Sequence, residues 1–215
     1  MKAKDKSKIV YSELCLYFPD AKCELNFKDD YTLMVSVILS AQCTDKRVNL
    51  VTKDLFAKYP NFSSLANAEI VDVENIIRPC GFFKNKAKNI VNASKKVVLH
   101  YAGKLPDTME DLVTLDGVGR KTANVLLSNI FNKPSIAVDT HVFRVSNRIG
   151  LAKADNVYDC EMQLQKNIEK SKWSEMHHLL VLFGRYVCKA RKPECSKCNL
   201  KGICGEYKRW NGKNL

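Results

Sequence analysis

The sequence predicts an all-α fold, and three observations support that prediction. Apolar residues recur at the three- and four-residue spacing of a helix along nearly the whole chain. Residues that cap helix starts, such as Asp, Asn, Ser and Thr, stand before most of these segments. Stretches with the two-residue alternation of a strand are few and short, and residues 135–138 form one of them.

The predicted helices follow one another without a flexible linker. We place them at residues 31–41, 45–59, 70–77, 85–101, 139–149, 156–171 and 174–187. An acidic pair is expected to cap the first of these and Thr44 the second, while Gly103 stands where the 85–101 helix should end. Asp107 and Glu110 have capping-box spacing and predict one more helix start. A boundary between two tightly packed lobes is expected near Pro134.

Composition narrows the class of protein. Hydrophobic residues make up 46% of the 215 residues, enough for a sizeable core. The 35 lysines and arginines exceed the 23 acidic residues, which indicates a polyanionic partner: a nucleic acid, ribosomal RNA or an anionic membrane surface. No apolar run reaches the roughly 18 residues of a membrane span, and the N-terminus lacks a secretory signal, so we expect a cytoplasmic protein. Nine cysteines in a reducing compartment favour metal binding or free thiols over disulfides.

A glycine-rich turn between two predicted helices, residues 115–127, carries the strongest signal. Gly117 and Gly119 flank Val118, and the absence of side chains lets a phosphate approach the turn. The amides of the turn are then expected to point outward at the positive end of the next helix and to form an anion site, as in a helix-hairpin-helix that grips the DNA backbone. Gly117, Val118 and Gly119 are therefore candidate DNA contacts. A plain helical hairpin is the alternative. Arg120 and Lys121, which follow at once, favour DNA binding.

Lys121 has two possible roles. It stands in the first turn of a helix and beside Arg120, and both features are expected to lower the pKa of its amine. A neutral lysine can attack a sugar C1′ and form a Schiff base. A lysine at this position can equally contact a phosphate, and its place in the sequence does not decide between the two roles.

Asp139 follows 18 residues after Lys121, where an apolar run meets a new helix. It is expected to cap that helix, and the helix start keeps its carboxylate ionised. Such a carboxylate could also stabilise an oxocarbenium-like sugar or accept a proton from the attacking amine. His141, Arg144 and Arg148 share one face of the same helix, which either binds phosphates or is solvated.

Four clustered cysteines near the C-terminus predict a metal site. These are Cys188, Cys195, Cys198 and Cys204. A four-cysteine zinc site usually has two short knuckles, and only one pair is short here, so an iron–sulfur cubane is a reasonable alternative that spacing does not settle. The loop between the first two cysteines is basic and is a candidate phosphate contact. Its cations are Lys189, Arg191 and Lys192.

Together, these motifs resemble the endonuclease III family of DNA glycosylases over nearly the whole chain. The resemblance implies a helix-hairpin-helix-Gly/Pro-Asp fold. In that fold, residues 23–134 form a six-helix lobe, residues 1–22 and 135–215 form a lobe around a [4Fe-4S] cluster, and DNA lies in the groove between them. By residue, the resemblance implies that Lys121 is the Schiff-base lysine, Asp139 the catalytic aspartate and the four clustered cysteines the cluster ligands.

The resemblance also assigns two residues that insert into DNA. Gln42 matches the residue that fills the gap left by a flipped nucleotide, and Phe82 matches an apolar wedge in the opposite loop. The residue pattern alone places Gln42 on the surface and Phe82 in the core. The chain departs from the family pattern at Asp116, which stands in place of proline, at Phe82, in place of leucine, and at Cys43, in place of a small residue.

The implied activity is base-excision repair by a bifunctional glycosylase and abasic-site lyase. Duplex DNA with an oxidised pyrimidine or an abasic site is the expected partner, and we expect a monomer with no membrane association. An adenine-removing relative is similar across much of the chain but usually lacks the lysine. The hairpin and the cysteines would also suit a DNA-binding module without catalysis or a structural zinc-ribbon protein.

Overall fold

A computed structural model describes residues 1–211, and within that range it contains twelve α-helices, two short 3-10 helices and no β-strand. The prediction of an all-α fold is confirmed. The strand-like stretch 135–138 is buried but forms no strand. By its internal contacts the chain divides into two compact units. The hairpin unit comprises Cys23–Lys133, and the cysteine unit comprises Met1–Lys22 together with the chain from Pro134 onward.

The hairpin unit is built around a buried central helix. Its helices are α2 (Asp30–Ser40), α3 (Asp45–Lys58), α4 (Phe62–Ala66), α5 (Ile70–Ile77), α6 (Phe83–His100), α7 (Met109–Leu112) and α8 (Arg120–Asn129). Nine consecutive residues of α2, 31–39, are buried, because α2 packs against α3, α6 and α8. A helix that is apolar on every side is typical of such a central position.

Two of the three N-terminal helix caps predicted in the hairpin unit are observed. Asp29 accepts a hydrogen bond from the Thr32 amide at 2.8 Å and completes a capping box at α2. Thr44 caps α3, as predicted. At α7 the prediction was wrong, since the cap is Thr108, whose hydroxyl accepts from the Asp111 amide. Asp107 instead forms an ion pair with Lys133 at 2.6 Å.

The cysteine unit packs four longer helices around an apolar core. Its elements are α1 (Ala3–Tyr17), α9 (Thr140–Ile149), α10 (Val157–Asn167), a 3-10 turn (Lys170–Lys172), α11 (Trp173–Tyr186), a second 3-10 turn (Cys195–Lys197) and α12 (Gly205–Asn211). Phe183 of α11 lies in the core with Val142 of α9 and Leu14 of α1. The α9–α11 contact is close, since a Cβ atom at Gly184 would lie 2.8 Å from the His141 Cβ.

Most helix boundaries agree with the sequence to within two residues, and the helix Ile70–Ile77 agrees at both ends. The predicted 156–171 helix is too long, because the chain becomes extended at Ile168 (φ −107°, ψ 141°) and ends α10 there. The short helices α4 and α12 carry too few residues for a clear helical period and were not predicted. In the described range, none of the helices combines the length and the apolar character that crossing a membrane requires.

Candidate DNA-binding and catalytic site

The two glycines of the hairpin turn have different structural roles. Gly117 has a left-handed backbone (φ +77°), and a Cβ atom there would lie 3.0 Å from Asn89 and 3.1 Å from Ile38. The fold of the unit therefore requires glycine at this position. Gly119 has an ordinary extended backbone (φ −91°), and a Cβ atom there would meet nothing within 4 Å. The open space at Gly119 is available to a ligand.

Val118 holds the turn together. Its side chain is buried, and its amide donates a hydrogen bond to the Leu115 carbonyl at 3.0 Å. The expectation that all amides of the turn point outward is thus wrong for Val118, because this one closes the turn itself. Val118 therefore packs in the core and holds the neighbouring Gly117 and Gly119 in position.

The start of α8 has the properties of an anion site. Gly119 is its N-cap and offers no side chain, so no side-chain cap occupies the first amides of the helix. The first turn contains no acidic residue, and Arg120 and Lys121 are both exposed. The Lys121 ammonium makes no hydrogen bond or ion pair with any residue in the described range. Residues 123–128 anchor α8 in the core, so Lys121 projects from a rigid helix.

Gln42 and Phe82 stand on adjacent loops at one end of the hairpin unit. A Cβ atom at Gly81 would lie 3.6 Å from the Gln42 carbonyl oxygen. The buried Lys86 ammonium donates to the Leu39 carbonyl at 2.9 Å and ties the end of α2 to α6. Burial lowers the pKa of Lys86. The fold therefore brings together two residues that lie 40 positions apart.

Both of these residues have strained backbones. Gln42 has φ +52° and Phe82 has φ +56°, a region that costs energy for residues other than glycine. The Phe82 side chain is 65% exposed, so the placement in the core expected from its residue type was wrong. Residues that pack in a core do not expose their aromatic rings. An exposed ring on a strained backbone is instead typical of a residue that binds a partner.

Asp139 caps α9, as the sequence predicts. One of its carboxylate oxygens, Oδ1, accepts from the amides of His141 and Val142, both at 2.8 Å. The carboxylate is only partly buried. Since both amides donate to Oδ1, Oδ2 takes no part in the cap. Asp139 therefore caps α9 with Oδ1, and Oδ2 is free of that structural role.

The arginines of α9 bind the backbone at and near the cysteine loop, which is the segment 188–195 between the first two clustered cysteines. Arg144 donates to the carbonyls of Gly184 at 2.8 Å and Cys188 at 3.1 Å, and its Nη2 atom also lies 3.3 Å from Nδ1 of His141. Arg148 donates to the carbonyl of Lys189 at 2.7 Å and to that of Ala190 at 3.0 Å. The sequence had suggested phosphate binding or solvation for this face, and it did not reveal this bracing role because the acceptors lie 40 or more residues away.

The four clustered cysteines line a single cavity, shared with apolar side chains such as Phe183 and Leu200. Burial, with the neighbouring sulfurs of Cys188 and Cys204, raises the pKa of Cys195. Within the described chain, no three His, Cys, Asp or Glu side chains are placed to hold one metal ion. The fold therefore brings all four cysteines, which the sequence spreads over residues 188–204, to one cavity.

The basic loop between the first two cysteines is exposed. Lys189 forms an ion pair with Glu194 at 3.2 Å, within the same loop. Arg191 and Lys192 are exposed, and Lys192 has a left-handed backbone (φ +50°). These two side chains keep the loop cationic at its tip.

Comparison with known proteins agrees with this geometry. Residues 35–170 match the family model of the HhH-GPD superfamily base excision DNA repair proteins. The chain is 44% identical to the endonuclease III of Bacillus subtilis (94% of this chain, 95% of the relative) and 47% identical to that of Rickettsia conorii (88% and 90%). The chain belongs to the endonuclease III family. A solved structure of this family, a trapped endonuclease III–DNA covalent intermediate with an estranged adenine, superimposes with a TM-score of 0.93 at 43% identity, covering 98% of this chain and all of that one.

The family resemblance and the HhH-GPD fold are therefore confirmed, and the protein is a base-excision repair protein. The roles of its individual site residues stay predictions. The geometry of this endonuclease III family member supports Gly119, Lys121, Gln42 and Phe82 as surface elements, and it assigns Val118 to packing.

The contrast between the two glycines leads to a test. Gly117→Ala should lower the free energy of unfolding by about 1–3 kcal/mol, because the new side chain is strained at positive φ and overlaps Asn89. Gly119→Ala should change it by less than about 0.5 kcal/mol but weaken binding to undamaged duplex DNA about tenfold, because the methyl group stands where a phosphate oxygen would sit. Urea denaturation and fluorescence anisotropy measure the two quantities. Equal loss of stability in both variants, or unchanged DNA affinity in Gly119→Ala, would contradict this assignment.

Proposed function

We propose that this chain is a bifunctional DNA glycosylase and abasic-site lyase that uses Lys121 as its nucleophile. The observation that carries the proposal is the exposed ammonium of Lys121 in the first turn of α8, two residues after the open Gly119 position. A phosphate held at the helix start would place the sugar backbone beside that amine. The covalent complex described for the endonuclease III relative supports a covalent route.

The reaction follows from the chemistry of an amine and a sugar. The Lys121 nitrogen, once deprotonated, forms a bond to C1′ of the flipped nucleotide, and the base leaves with the electrons of the glycosidic bond. Ring opening gives a Schiff base between the lysine nitrogen and C1′. Loss of a C2′ proton then breaks the C3′–O bond, so the 3′ phosphate departs by β-elimination and the strand is nicked. Water releases the lysine at the end.

Asp139 is proposed to stabilise the departing-base transition state. Its charge faces the positive character that develops on the sugar, and Oδ2, which the cap does not use, is the oxygen available for this contact. The cap bonds to His141 and Val142 hold the carboxylate in one orientation. Asp139 thus supplies the negative charge, and its cap bonds fix the position of that charge.

The proposed DNA surface in the hairpin unit combines the hairpin with the two strained loops. Gln42 would fill the gap left by the flipped nucleotide, and Phe82 would unstack the opposite strand. The exposed Arg191 and Lys192 of the cysteine loop are proposed phosphate contacts. For Arg144 and Arg148 we propose an indirect contribution, because their guanidinium groups already brace that loop. Oxidised pyrimidines are the proposed substrates, because their lost aromaticity weakens stacking.

The four clustered cysteines are proposed to hold a [4Fe-4S] cluster. All four cysteines line one cavity, which a polynuclear group could fill, and only one pair of them has the short spacing of a zinc knuckle. Buried thiols that raise each other's pKa need a cationic group if they are to ionise together. Bound iron would neutralise the thiolates and order the loop that carries Arg191 and Lys192. We further propose a monomer that acts on the chromosome in the bacterial cytoplasm.

Trapping with borohydride tests the nucleophile. Wild-type protein should become covalently joined to duplex DNA containing an abasic site, because borohydride reduces the Schiff base to a stable amine. Lys121→Ala should reduce this adduct to background, since the reacting nitrogen is gone. Lys95→Ala, another exposed helical lysine of the hairpin unit, should give the wild-type amount. A persistent adduct in Lys121→Ala would assign the reaction to another amine, and a wild-type protein that never forms one would be a passive DNA binder.

Substitution of Asp139 by asparagine separates charge from capping. Asparagine caps a helix as well as aspartate, so the free energy of unfolding should change by less than about 1 kcal/mol. Base excision in single-turnover assays should fall about 100- to 1,000-fold, whereas DNA affinity should stay within about threefold. Asp29→Asn, which changes the cap of α2 in the same way, is the matched control and should leave excision unchanged. Unchanged excision in Asp139→Asn would mean that Asp139 is a cap alone, and parallel losses of excision and affinity would contradict a specific role for its charge in the transition state.

Metal analysis tests the proposed cluster. The purified protein should be brown and contain iron and sulfide in equal amounts. Cys198→Ser should lose iron and lower the melting temperature, because one ligand is missing. Cys15→Ser, a partly buried cysteine on α1 of the same unit, should keep its iron. Zinc in place of iron would refute the cluster and support a structural zinc site.

A further inference from the structure

Two cysteines outside the proposed metal site lie close together next to the loops of Gln42 and Phe82. Cys43 follows Gln42 directly, and Cys80 precedes Phe82 by two residues. The two sulfurs are near enough to interact electrostatically, and both also act on the ammonium of Lys86. The backbones of the two segments are also close, with the Gly81 Cβ position 3.6 Å from the Gln42 carbonyl. This cysteine pair therefore joins two segments that are 37 positions apart in the chain.

The neighbouring contacts hold the two segments in place. The Cys43 amide donates to the Ser40 carbonyl at 3.1 Å, and the Cys80 amide donates to the Ile77 carbonyl at 2.8 Å. Arg47 reaches the Pro79 carbonyl at 3.5 Å. Both sulfurs thus extend from backbones tied to the ends of α2 and α5, which keeps the pair together without DNA.

The two thiols differ in access to solvent. Cys80 is 1% exposed, whereas Cys43 is only partly buried. Burial, together with the neighbouring sulfur of Cys43, raises the pKa of Cys80 to about 11, although the cations Lys86 and Arg47 oppose this shift. Cys80 therefore keeps its proton, and a small oxidant from solvent meets the sulfur of Cys43 first. An accessible thiol beside a second, enclosed thiol is the arrangement of a sulfur that can be oxidised and a partner that resolves it.

We propose that Cys43 and Cys80 form an oxidation site at which hydrogen peroxide produces a reversible disulfide between the Gln42 and Phe82 loops. The Cys43 thiolate attacks one peroxide oxygen, the O–O bond breaks and hydroxide leaves, so Cys43 becomes a sulfenic acid. The Cys80 sulfur then attacks the Cys43 sulfur, the S–O bond breaks, and the released hydroxide takes up the Cys80 proton as water. In total, two thiols and one peroxide give one disulfide and two waters. A small thiol reverses the step by exchange.

The disulfide changes the geometry of the loops. A disulfide requires a sulfur–sulfur distance of about 2.05 Å, shorter than any non-bonded contact of two sulfurs, so the two cysteines and the segments that carry them are expected to move towards each other. Gln42 is adjacent to one sulfur and Phe82 is two residues from the other, and both already have strained backbones. Their side chains are therefore expected to shift. The effect on DNA repair rests on the proposed function, whereas formation of the disulfide does not.

Peptide mapping tests the disulfide itself. Protein with its metal site intact is treated with peroxide, free thiols are alkylated, and the chain is digested with trypsin. The two cysteines fall on separate tryptic peptides, residues 29–46 and 59–84. Peroxide should join these peptides with the loss of two hydrogens, and dithiothreitol should separate them. Cys43→Ser and Cys80→Ala should each abolish the joined species. If peroxide-treated wild-type protein gives no joined peptide, the proposal is overturned.

An activity assay tests the consequence for the loops. The rate of nicking of a duplex with a damaged pyrimidine should fall about tenfold or more on oxidation, because a displacement of about 1 Å can cost about 100-fold. Dithiothreitol should restore it. Cys43→Ser keeps all four clustered cysteines, so it should retain its activity in peroxide. Equal loss in Cys43→Ser would assign the effect to the metal site, and a joined protein with full activity would refute control of the loops. If untreated protein nicks nothing, the proposed function fails, while the peptide map still reads the disulfide.

Discussion

The candidate site depends on how the free backbone amides at two helix starts are satisfied. A helix start must be satisfied by a side chain, by water or by a ligand. At α8 the N-cap is Gly119, which supplies no side chain and leaves space around its Cα atom. At α9 the N-cap is Asp139, whose Oδ1 atom satisfies two amides. One helix start is therefore left open for an external anion, and the other is closed by a carboxylate that keeps its second oxygen.

Each of these helix starts carries the charged group that the proposed chemistry needs. Lys121 stands in the first turn of α8, where the free amides attract an external phosphate. Asp139 stands at the N-cap of α9, where its carboxylate interacts with the positive end of the helix. Lys121 is exposed and Asp139 is only partly buried, so both remain available to a substrate.

The cysteine loop shows how a surface segment is ordered from within. Arg144 and Arg148 donate to carbonyl groups of residues 184 and 188–190, and the four clustered cysteines enclose a common cavity. Guanidinium groups suit this task because their planar donors can bond several carbonyls at once. Bracing by arginine on one side and by metal on the other would hold Arg191 and Lys192 in fixed positions. A basic loop held in this way loses less conformational entropy when it binds a polyanion.

Most of the longer helices and the hairpin could be predicted from the sequence alone. These features depend on local rules: apolar periodicity predicted α2 to within one residue, Asp29 and Thr44 capped the helices that follow them, and Asp139 was identified as a cap. The family resemblance, carried by the hairpin and the clustered cysteines, was confirmed by comparison with known proteins.

Which distant residues meet depends on the tertiary structure. Phe82 is exposed although its residue type predicts burial, and its left-handed backbone is a conformation that residue type does not predict. Cys43 and Cys80 are brought close together by the packing of elements that the sequence separates by 37 positions, and the acceptors of Arg148 lie 41 and 42 positions away. Local propensity holds no information on such contacts, since they depend on how whole helices pack and on the shape of the space between them.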